Sequence, residues 1–490
     1  MFMKFLPKDH FKKKTDNYFL LPFRFERIED KELIVNDLGD YIWFESGTVE
    51  SIVNRKIDSF SSLYKDLLSK NFISETPVPE NIEQLAIRFR TQKSFLDKFT
   101  SLHIFVITLR CNHTCHYCQV SRKPEYNLEY DISDSNLDKA ISLMFKSPSN
   151  YLTVEFQGGE PLLAESKIKF AVERIKKINV LEKRNITFVV CTNITLVEED
   201  FLFYCKENDI SISTSYDGPQ FIHDKNRFIT KQSSHDLTLR GIELCRKILG
   251  YDSISPLMTT SQLSLEYPVE IINDYLEQEF TSIFLREINP FGFAKKSEKL
   301  NLYNTEKFIS FFKTALDYIL ELNKKGTFFI EEFTTVILSK ILTPFPVGFT
   351  DLQSPNGAIN NVIVYNHDGY VYASDESRML AEDNDNFFRL GHMEKHTYHE
   401  IFYGKKAHQI AENWANECIA GCSDCAFQPF CGADPIRNYS TQNDMYGFRP
   451  TNSFCAKNKQ IIKYIFQLLE DPINQKIFRS WVVRKPVTLK

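Results

Sequence analysis

The sequence predicts an α/β protein whose largest part is a partial six-unit parallel β/α barrel, and three observations lead to this prediction. Strand-like apolar segments alternate with helical patterns from about residue 103 to residue 323. The strand segments are apolar throughout, as in parallel sheets that are covered by helices on both faces. Five of these segments end in polar or glycine-rich residues, and parallel α/β folds bind ligands at the carboxyl ends of their strands.

Six strand–helix units account for this alternation, which favours a parallel sheet joined by right-handed crossovers. No seventh or eighth unit follows, so we expect an incomplete barrel. The predicted strands cover residues 103–109, 152–156, 186–191, 210–215, 254–259 and 282–288. The predicted helices cover residues 135–145, 166–178, 198–207, 236–249, 268–279 and 306–323.

Regions of a different character flank the barrel, which we place at residues 101–345. Residues 1–100 are expected to form a small α/β domain, with short strands at 18–25, 33–35 and 41–44 and helices near 48–53 and 61–70. Residues 346–470 are loop-rich and contain the second of two cysteine groups. Residues 471–490 are expected to form a closing helix and a tail.

The bulk composition excludes several classes of protein. A net charge of −5 over 490 residues gives no general attraction for nucleic acid or anionic lipid. No apolar run approaches the ~20 residues that span a bilayer, and the first residues lack the pattern of a secretory signal. We therefore expect a cytoplasmic protein without nucleic-acid or membrane partners. In that reducing compartment, clustered cysteines indicate metal ligands or catalytic groups rather than disulfides.

The first cysteine group has the spacing Cys111-x3-Cys115-x2-Cys118 and follows the first predicted barrel strand. A cubane iron–sulfur cluster is normally held by four thiolates. Three thiolates on one short loop would leave the fourth iron open to another ligand. A zinc site, or a cluster completed by a distant cysteine, is the alternative interpretation, although zinc sites usually show paired Cys-x2-Cys units.

Residues 103–290 resemble the radical S-adenosylmethionine (SAM) superfamily in two motifs, the cysteine loop and a Gly-Gly-Glu-Pro segment after the second strand. The resemblance implies a [4Fe–4S] cluster, bound SAM and an external electron donor. One electron from the cluster would cleave SAM to methionine and a 5′-deoxyadenosyl radical that removes a hydrogen atom from the substrate. The implied cluster ligands are Cys111, Cys115 and Cys118; Tyr117 would lie near the adenine, Gly158, Gly159 and Glu160 would receive the methionyl amino group, and Asn193, Ser215 and Asp217 would face the ribose or carboxylate end.

The second cysteine group, Cys422-x2-Cys425-x5-Cys431 with Cys455 downstream, offers four thiolates. A structural zinc knuckle is one interpretation. The spacing also resembles the SPASM extension of peptide-modifying radical SAM enzymes, which typically holds two auxiliary clusters. Three cysteines of that pattern are replaced here, so we expect one auxiliary [4Fe–4S] cluster on these four residues. The replaced positions are Ser374, His396 and Asp434; Cys418 is unassigned, and Cys191, Cys205 and Cys245 are interpreted as buried packing residues.

The remaining resemblances concern the substrate. The N-terminal strands and helices resemble winged-helix peptide-recognition elements, which bind a leader segment as an added strand; a structural cap on the barrel is the alternative. Nearly the whole chain resembles the His-Xaa-Ser system radical SAM maturases, through LLPFRF, SLHIFVITLRCNHTCHYCQVSR, VEFQGGEPLL and AFQPFCGADP. That resemblance implies a genetically linked peptide or protein substrate with His-Xaa-Ser repeats and, often, a second radical SAM protein.

The chemistry of the product is the least determined part of the prediction. We expect a carbon crosslink between the imidazole and the serine β-carbon of a His-Xaa-Ser unit. One alternative is oxidation of Ser or Cys to an aldehyde, as in sulfatase-maturing relatives. The other is a non-catalytic subunit whose clusters only relay electrons, although a relay needs no open iron.

Overall fold

The computed structural model describes residues 18–76, 82–296 and 303–486. Through the barrel, its strands alternate with helices as the sequence predicts. The strands are β1 Phe19–Leu20, β2 Phe23–Ile28, β3 Lys31–Asn36, β4 Tyr41–Glu45, β5 Ile73–Ser74, β6 Leu102–Thr108, β7 Tyr151–Gly158, β8 Asn185–Thr192, β9 Ile210–Ser215, β10 Ile254–Leu257, β11 Ser282–Ile283, β12 Ile330–Glu331, β13 Val362–Tyr365, β14 Tyr370–Tyr372 and β15 Arg389–His392.

The helices of the N-terminal region and the barrel are α1 Thr48–Val53, α2 Ser62–Ser69, α3 Ile82–Gln92, α4 Asp134–Met144, α5 Glu165–Glu182, α6 Glu199–Asn208, α7 Gln220–Asn226, α8 Ser234–Leu249, α9 Pro268–Glu277, α10 Gly292–Lys296, α11 Thr305–Lys324 and α12 Glu332–Leu342. Those of the C-terminal region are α13 Asp375–Glu382, α14 Tyr398–Phe402, α15 Lys405–Ala411, α16 Pro435–Gln442, α17 Ser453–Leu468 and α18 Pro472–Val482. No helix in the described ranges is long and apolar enough to cross a membrane.

An eight-stranded mixed sheet forms the centre of the protein, in the order β10-β9-β8-β7-β6-β13-β14-β15. Neighbours from β10 to β13 are parallel, whereas β14 and β15 add antiparallel. Strands β6 to β10 are five of the six predicted barrel strands, and helices α4, α5, α6 and α8 connect them. Their outward side chains are buried against these helices, as in Leu152, Val154 and Phe156 of β7.

The sixth predicted strand, at 282–288, is not a regular strand of this sheet, and it meets the segment after β10 only through one parallel bridge among the described residues, between Thr260 and Glu287. Only β11 is regular there, and it pairs with β12 in a separate two-stranded sheet. A side chain distant in the sequence accounts for this: the carboxylate of buried Glu331 accepts the amide hydrogen of Leu285 at 3.1 Å, in place of a neighbouring strand. The position on the other side of β6 is taken by β13, so the sheet crosses the predicted boundary at residue 345.

The N-terminal region is a three-stranded antiparallel sheet, β2-β3-β4, with its own small core and the helices α1 to α3. The strand predicted at 18–25 is two strands interrupted at Pro22, which has no amide hydrogen to continue a ladder. This region packs on the cysteine-rich one: the ring centroids of Tyr41 and Phe466 are 5.0 Å apart, and Lys459 pairs with Glu26 at 3.0 Å.

A buried ion triplet connects the barrel to the C-terminal region. The Glu287 carboxylate lies 2.9 Å from the Arg437 guanidinium and 3.1 Å from the Lys457 ammonium, and the three side chains are 7–12% exposed. Burial by itself raises the pKa of Glu287, but Lys457 and Arg437 outweigh burial, and the pKa is lowered. The carboxylate is therefore the only partner that either cation has within this triplet.

Replacing this carboxylate should destabilise the fold strongly. Glu287→Gln leaves two buried cations unpaired, and we expect the free energy of unfolding to fall by about 3 kcal/mol. Because the folded-state pKa is lowered, the wild-type stabilisation is complete above the unfolded pKa of 4.5 and disappears as the pH falls through the folded value. Urea unfolding followed by circular dichroism measures both effects. As a control, Asp138→Asn breaks an exposed pair with Arg174 and should cost at most about 1 kcal/mol; equal losses in the two variants would contradict the interpretation.

Candidate active site

Three thiols follow the first barrel strand and face one cavity. Cys111, Cys115 and Cys118 lie in the loop after β6, are half-buried, and line a cavity of about 540 Å³. The amide of Cys111 donates to the carbonyl of Lys123 at 3.1 Å, and the amide of Thr114 donates to the carbonyl of Phe228 at 2.9 Å. These hydrogen bonds tie the loop to two neighbouring segments, so the three thiols are held on the same wall.

The guanidinium of Arg110 anchors the start of this loop. Its Nε and Nη2 donate to the two carboxylate oxygens of Asp131, at 2.7 and 2.8 Å. Nη1 donates to the carbonyl of Glu125 at 2.8 Å, and Nη2 also donates to the carbonyl of Leu163 at 2.7 Å. A two-point pair between arginine and a carboxylate fixes orientation as well as distance. The residue directly before Cys111 is therefore rigidly held.

The glycine pair after β7 lies directly on the cysteine loop. A β-carbon on Gly158 would lie 2.0 Å from the carbonyl oxygen of Thr108, and one on Gly159 would lie 2.3 Å from that of Arg110. The amide of Gly159 donates to Thr108 at 2.8 Å, and the amide of Glu160 donates to Arg110 at 2.7 Å. Only glycine permits this approach, and both glycines line the cavity.

Glu160 has a fully buried side chain that joins the ends of β7 and β8. One oxygen accepts from the hydroxyl of Thr192 at 2.6 Å and from the amide of Leu162 at 2.9 Å, and the other accepts from the amide of Asn193 at 2.7 Å. Burial raises its pKa to about 7, against the opposing effect of these hydrogen bonds. The carboxyl therefore positions the glycine segment and Asn193 from below.

Asn193 and Ser215 lie on the cavity wall, where the sequence predicts them. Asp217, which was expected to face the ribose, is instead fully buried behind Tyr117 and does not line this cavity among the described residues. Its carboxylate accepts from the Tyr117 hydroxyl and from the Asn226 amide group at 3.1 Å, and lies 3.4 Å from the Arg227 guanidinium. Asp217 thus orients Tyr117, and it is this ring that reaches the cavity.

The first cysteine group fits a cluster with a bound SAM in its donor set and surroundings. Thiolates are the ligands that iron–sulfur clusters take, and the glycine pair leaves backbone exposed where a ligand must approach closely. Burial raises the pKa of Cys115 to about 12, so ionisation needs a positive partner such as iron. Among the described residues, no three or more His, Cys, Asp or Glu side chains already form a compact metal-ion site. The assignment therefore depends on residue type, spacing and the shared cavity.

The four predicted ligands of the second group are close enough to influence one another. Burial raises the pKa of Cys431 to about 12, and the thiols of Cys425, Cys422 and Cys455 contribute to the rise. The amide of Cys425 donates to the carbonyl of Cys422 at 3.0 Å, which forms the turn between the paired cysteines. Cys418, in contrast, is exposed. Four thiols are, by residue type, a donor set that suits an iron–sulfur cluster or zinc.

The three positions where the SPASM pattern lacks cysteine make local backbone contacts. Ser374 caps α13 by accepting from the amide of Ser377, and Asp434 caps α16 by accepting from the amides of Ile436 at 3.1 Å and Arg437 at 2.9 Å. His396 Nδ1 accepts from the amide of His392 at 3.0 Å. Each replacement therefore serves the local backbone.

The structure corrects the interpretation of one cysteine and adds two carboxylates that sequence reasoning missed. Cys205 and Cys245 are buried in the core as predicted, but Cys191 lines the cavity and its thiol donates to Glu155 at 3.2 Å. Asp375, at the start of α13, lines the same cavity. Strand alternation was the available signal, because Glu155 and Gln157 on β7 point away from the helix-covered face that Val154 and Phe156 occupy.

The chain is similar in sequence to known proteins. The model of the radical SAM superfamily matches residues 105–274. The cysteine-type anaerobic sulfatase-maturating enzyme of Clostridium novyi is 24% identical over 394 residues, covering 76% of this chain and 98% of that protein. The serine-type anaerobic sulfatase-maturating enzyme of Bacteroides thetaiotaomicron is 24% identical over 376 residues, covering 72% and 86%.

A similarity of fold extends to solved structures. The structure of native anSMEcpe with bound AdoMet and Cp18Cys peptide has a TM-score of 0.62 and 21% identity, and covers 77% of this chain and 99% of that one. The family match begins within β6 and contains the cysteine loop, the glycine pair and Asn193. Residues 105–274 are therefore a radical SAM domain, and the enzyme takes a [4Fe–4S] cluster and SAM as its cofactors.

Proposed function

We propose that this enzyme is a maturase that removes a hydrogen atom from a Ser or Cys side chain of a ribosomally made peptide or protein and oxidises that side chain to an aldehyde. One observation carries the proposal: the thiol-lined cavity continues past the glycine pair to polar side chains on β7, β8 and α13, where a substrate side chain has room. The cysteine-type and serine-type sulfatase-maturating relatives, each matched over most of its length, support the aldehyde as product.

The residues of this chain would bind and orient both cofactor and substrate. Cys111, Cys115 and Cys118 would hold the cluster, and Gly158 and Gly159 would expose backbone to the methionyl end of SAM. The cluster and SAM together supply a hydrogen-abstracting radical when bound. The cavity walls would exclude water from that radical, since a reactive intermediate needs a dry site. A relay subunit would need neither the glycine cradle nor the open cavity.

The second cysteine group would hold one auxiliary [4Fe–4S] cluster, on Cys422, Cys425, Cys431 and Cys455. Such a cluster is an electron acceptor for the net two-hydrogen oxidation of the substrate. A reducing cytoplasm would keep the described cysteines free, as they are in the structure. An external electron donor, and a second radical SAM protein as partner, complete the proposed system.

A carbon crosslink within a His-Xaa-Ser unit is the second candidate product. Ser374 and Asp434, at positions where the SPASM pattern has cysteine, cap helices. Asp375 and Met379 of the helix that Ser374 caps line the cavity with the three thiols. This arrangement favours the crosslink. A substrate there would meet side chains rather than an iron. The crosslink and the aldehyde both remove two hydrogen atoms, so the two products differ in connectivity.

An apolar groove in the N-terminal region is the proposed site for the substrate's recognition segment. Ile82, Leu85, Ala86 and Phe89 of α3 follow the spacing of one helical face and line a cavity of about 540 Å³ that also borders Leu21. No residue of α3 is buried, so this face has no covering element among the described residues. A peptide with alternating apolar side chains, added along the neighbouring sheet, would match it.

The iron content should reveal two clusters. We expect about eight irons per chain after anaerobic reconstitution, because seven suitably spaced cysteines offer two ligand sets. Replacing Cys111, Cys115 and Cys118 by Ala together should remove about half of the iron and all SAM cleavage. Iron quantification and measurement of deoxyadenosine check both. A content of about four or about twelve irons in the wild type would contradict this count.

The product should be identifiable on a defined probe. We expect a synthetic peptide with a His-Ala-Ser unit to lose two hydrogen atoms, and its Cys counterpart to lose two hydrogen atoms and then exchange sulfur for oxygen by hydrolysis. Both should become reactive toward a hydrazide, while the Ala counterpart stays unchanged. Tandem mass spectrometry decides between the candidates. Normal backbone fragmentation with a carbonyl-reactive residue supports the aldehyde, whereas lost fragmentation between His and Ser without hydrazide labelling would reject it in favour of the crosslink.

The N-terminal groove should control binding of the substrate rather than chemistry. With the protein encoded beside this gene as substrate, Leu85→Arg should raise KM at least about tenfold, because a charge would be buried in an apolar contact. SAM cleavage without substrate should persist. Ile87→Arg, on the same helix at a 57% exposed position outside the groove, is the matched control. Equal KM values for the two variants would contradict substrate binding in this groove and would favour the interpretation of the N-terminal region as a structural cap on the barrel.

A further inference from the structure

A carboxylate and a thiol form a hydrogen-bonded pair on the wall of the active cavity. Glu155 is on β7 and Cys191 is on β8, and both line the cavity that contains the three cluster thiols. The Cys191 thiol donates to Glu155 Oε1 at 3.2 Å, and the side-chain amide of Gln157 donates to the same oxygen. Both neighbouring donors therefore approach the same oxygen of Glu155. The second oxygen, Oε2, makes no hydrogen bond within the described residues and is left for a substrate.

The other carboxylate on this wall is committed elsewhere. Asp375 Oδ1 accepts from Nε and Nη2 of Arg378, at 3.0 and 2.7 Å, and the Arg378 side chain is fully buried. Glu155 has no such partner, because no Lys, Arg or His in the described ranges pairs with it. The two groups that donate hydrogen bonds to Glu155, the Cys191 thiol and the Gln157 side-chain amide, are uncharged. Neither of them takes the place of a proton from the substrate. Of the two carboxylates, Glu155 is thus the one whose negative charge is not neutralised by an ion pair.

We propose that Glu155 is the proton acceptor of the oxidation, held in position by Cys191 and Gln157. This inference rests on the proposed function, since it assumes a substrate with an O–H or S–H next to the attacked carbon. The carbon loses a hydrogen atom to the radical, which leaves as 5′-deoxyadenosine. The O–H or S–H proton then passes to Glu155 Oε2, and the remaining electron passes to an iron–sulfur acceptor. Two hydrogens leave the substrate and a C=O or C=S bond forms; with water, C=S then gives the aldehyde and releases hydrogen sulfide.

Cys191 stays a thiol throughout this step. Burial raises its pKa well above the ordinary thiol value, and the charge of Glu155 adds to the rise. A protonated thiol can donate to Oε1 but cannot compete for the substrate proton. Cys191 is therefore a positioning residue, and the hydrogen bond explains why a cysteine occupies the inward face of β8.

Glu155→Gln tests the role of the carboxylate while preserving its shape. With the His-Ala-Ser and His-Ala-Cys peptides as probes, we expect SAM cleavage to continue while the product formed per deoxyadenosine falls at least about 100-fold, the usual range for loss of general base catalysis. Glu155→Asp should retain part of the yield. Glu173→Gln, on the exposed face of α5, is the matched control. A wild-type product ratio in Glu155→Gln would overturn the proposal, as would loss of product in Asp375→Asn alone.

A second measurement needs no turnover. Without the neighbouring charge, the pKa of Cys191 should fall, so iodoacetamide should label Cys191 faster in Glu155→Gln than in the wild type, as resolved by mass spectrometry of its peptide. Unchanged labelling would show that the pair does not exist in solution and would refute the positioning role. If the wild type modifies neither peptide, the proposed function fails, whereas modification by both wild type and Glu155→Gln rejects only the proton acceptor.

Discussion

The active site depends on the contact of the glycine pair with the cysteine loop. Gly158 and Gly159 have no β-carbon, and only for this reason can the end of β7 lie against the carbonyls of Thr108 and Arg110. The two amide–carbonyl hydrogen bonds made there join strand and loop into one unit. Any larger side chain would force the strand and the loop apart, and the three thiols and the glycine pair would no longer face the same cavity.

Two buried carboxyl groups, those of Asp217 and Glu160, stabilise this unit on the side away from the cavity, and both are hydrogen-bonded. Asp217 has its charge compensated by Arg227; its Oδ2 accepts from the Tyr117 hydroxyl and the Asn226 amide group, and its Oδ1 accepts from the backbone amide of Thr259. Glu160 has three donors and no cation within ion-pair distance among the described residues, and burial raises its pKa to about 7. Such groups are costly unless they are fully hydrogen-bonded. Their arrangement therefore tolerates little movement, which suits a site that must hold a radical close to one carbon.

Hydrophobic periodicity and residue spacing predicted the features of the fold and the site that are determined by residues close together in the sequence. Five barrel strands, the cysteine loop and the position of Asn193 all depend on residues near one another in sequence. The misplaced sixth strand depends on Glu331, which satisfies the amide of Leu285 from 46 residues away. Asp217 was misassigned for a similar reason, since residues after a strand can face the cavity or lie under it. Neither contact leaves a periodic signal in the sequence.

The sequence likewise has no signal that separates Cys191, which lines the cavity, from a buried packing residue. The position of Cys191 in the cavity has a chemical consequence. Along β8 the apolar run is continuous, so hydrophobicity does not separate the helix-covered face from the cavity face. The thiol of Cys191 lies within hydrogen-bond distance of Glu155, and both residues belong to a polar wall of the cavity that also includes Asp375. That wall occupies the side of the cavity where the cysteine pattern of the extension is incomplete. In the proposed oxidation, the proton of the substrate would leave through a side chain on the barrel and the electron would leave toward the second cysteine group, so the two transfers would need no common ligand.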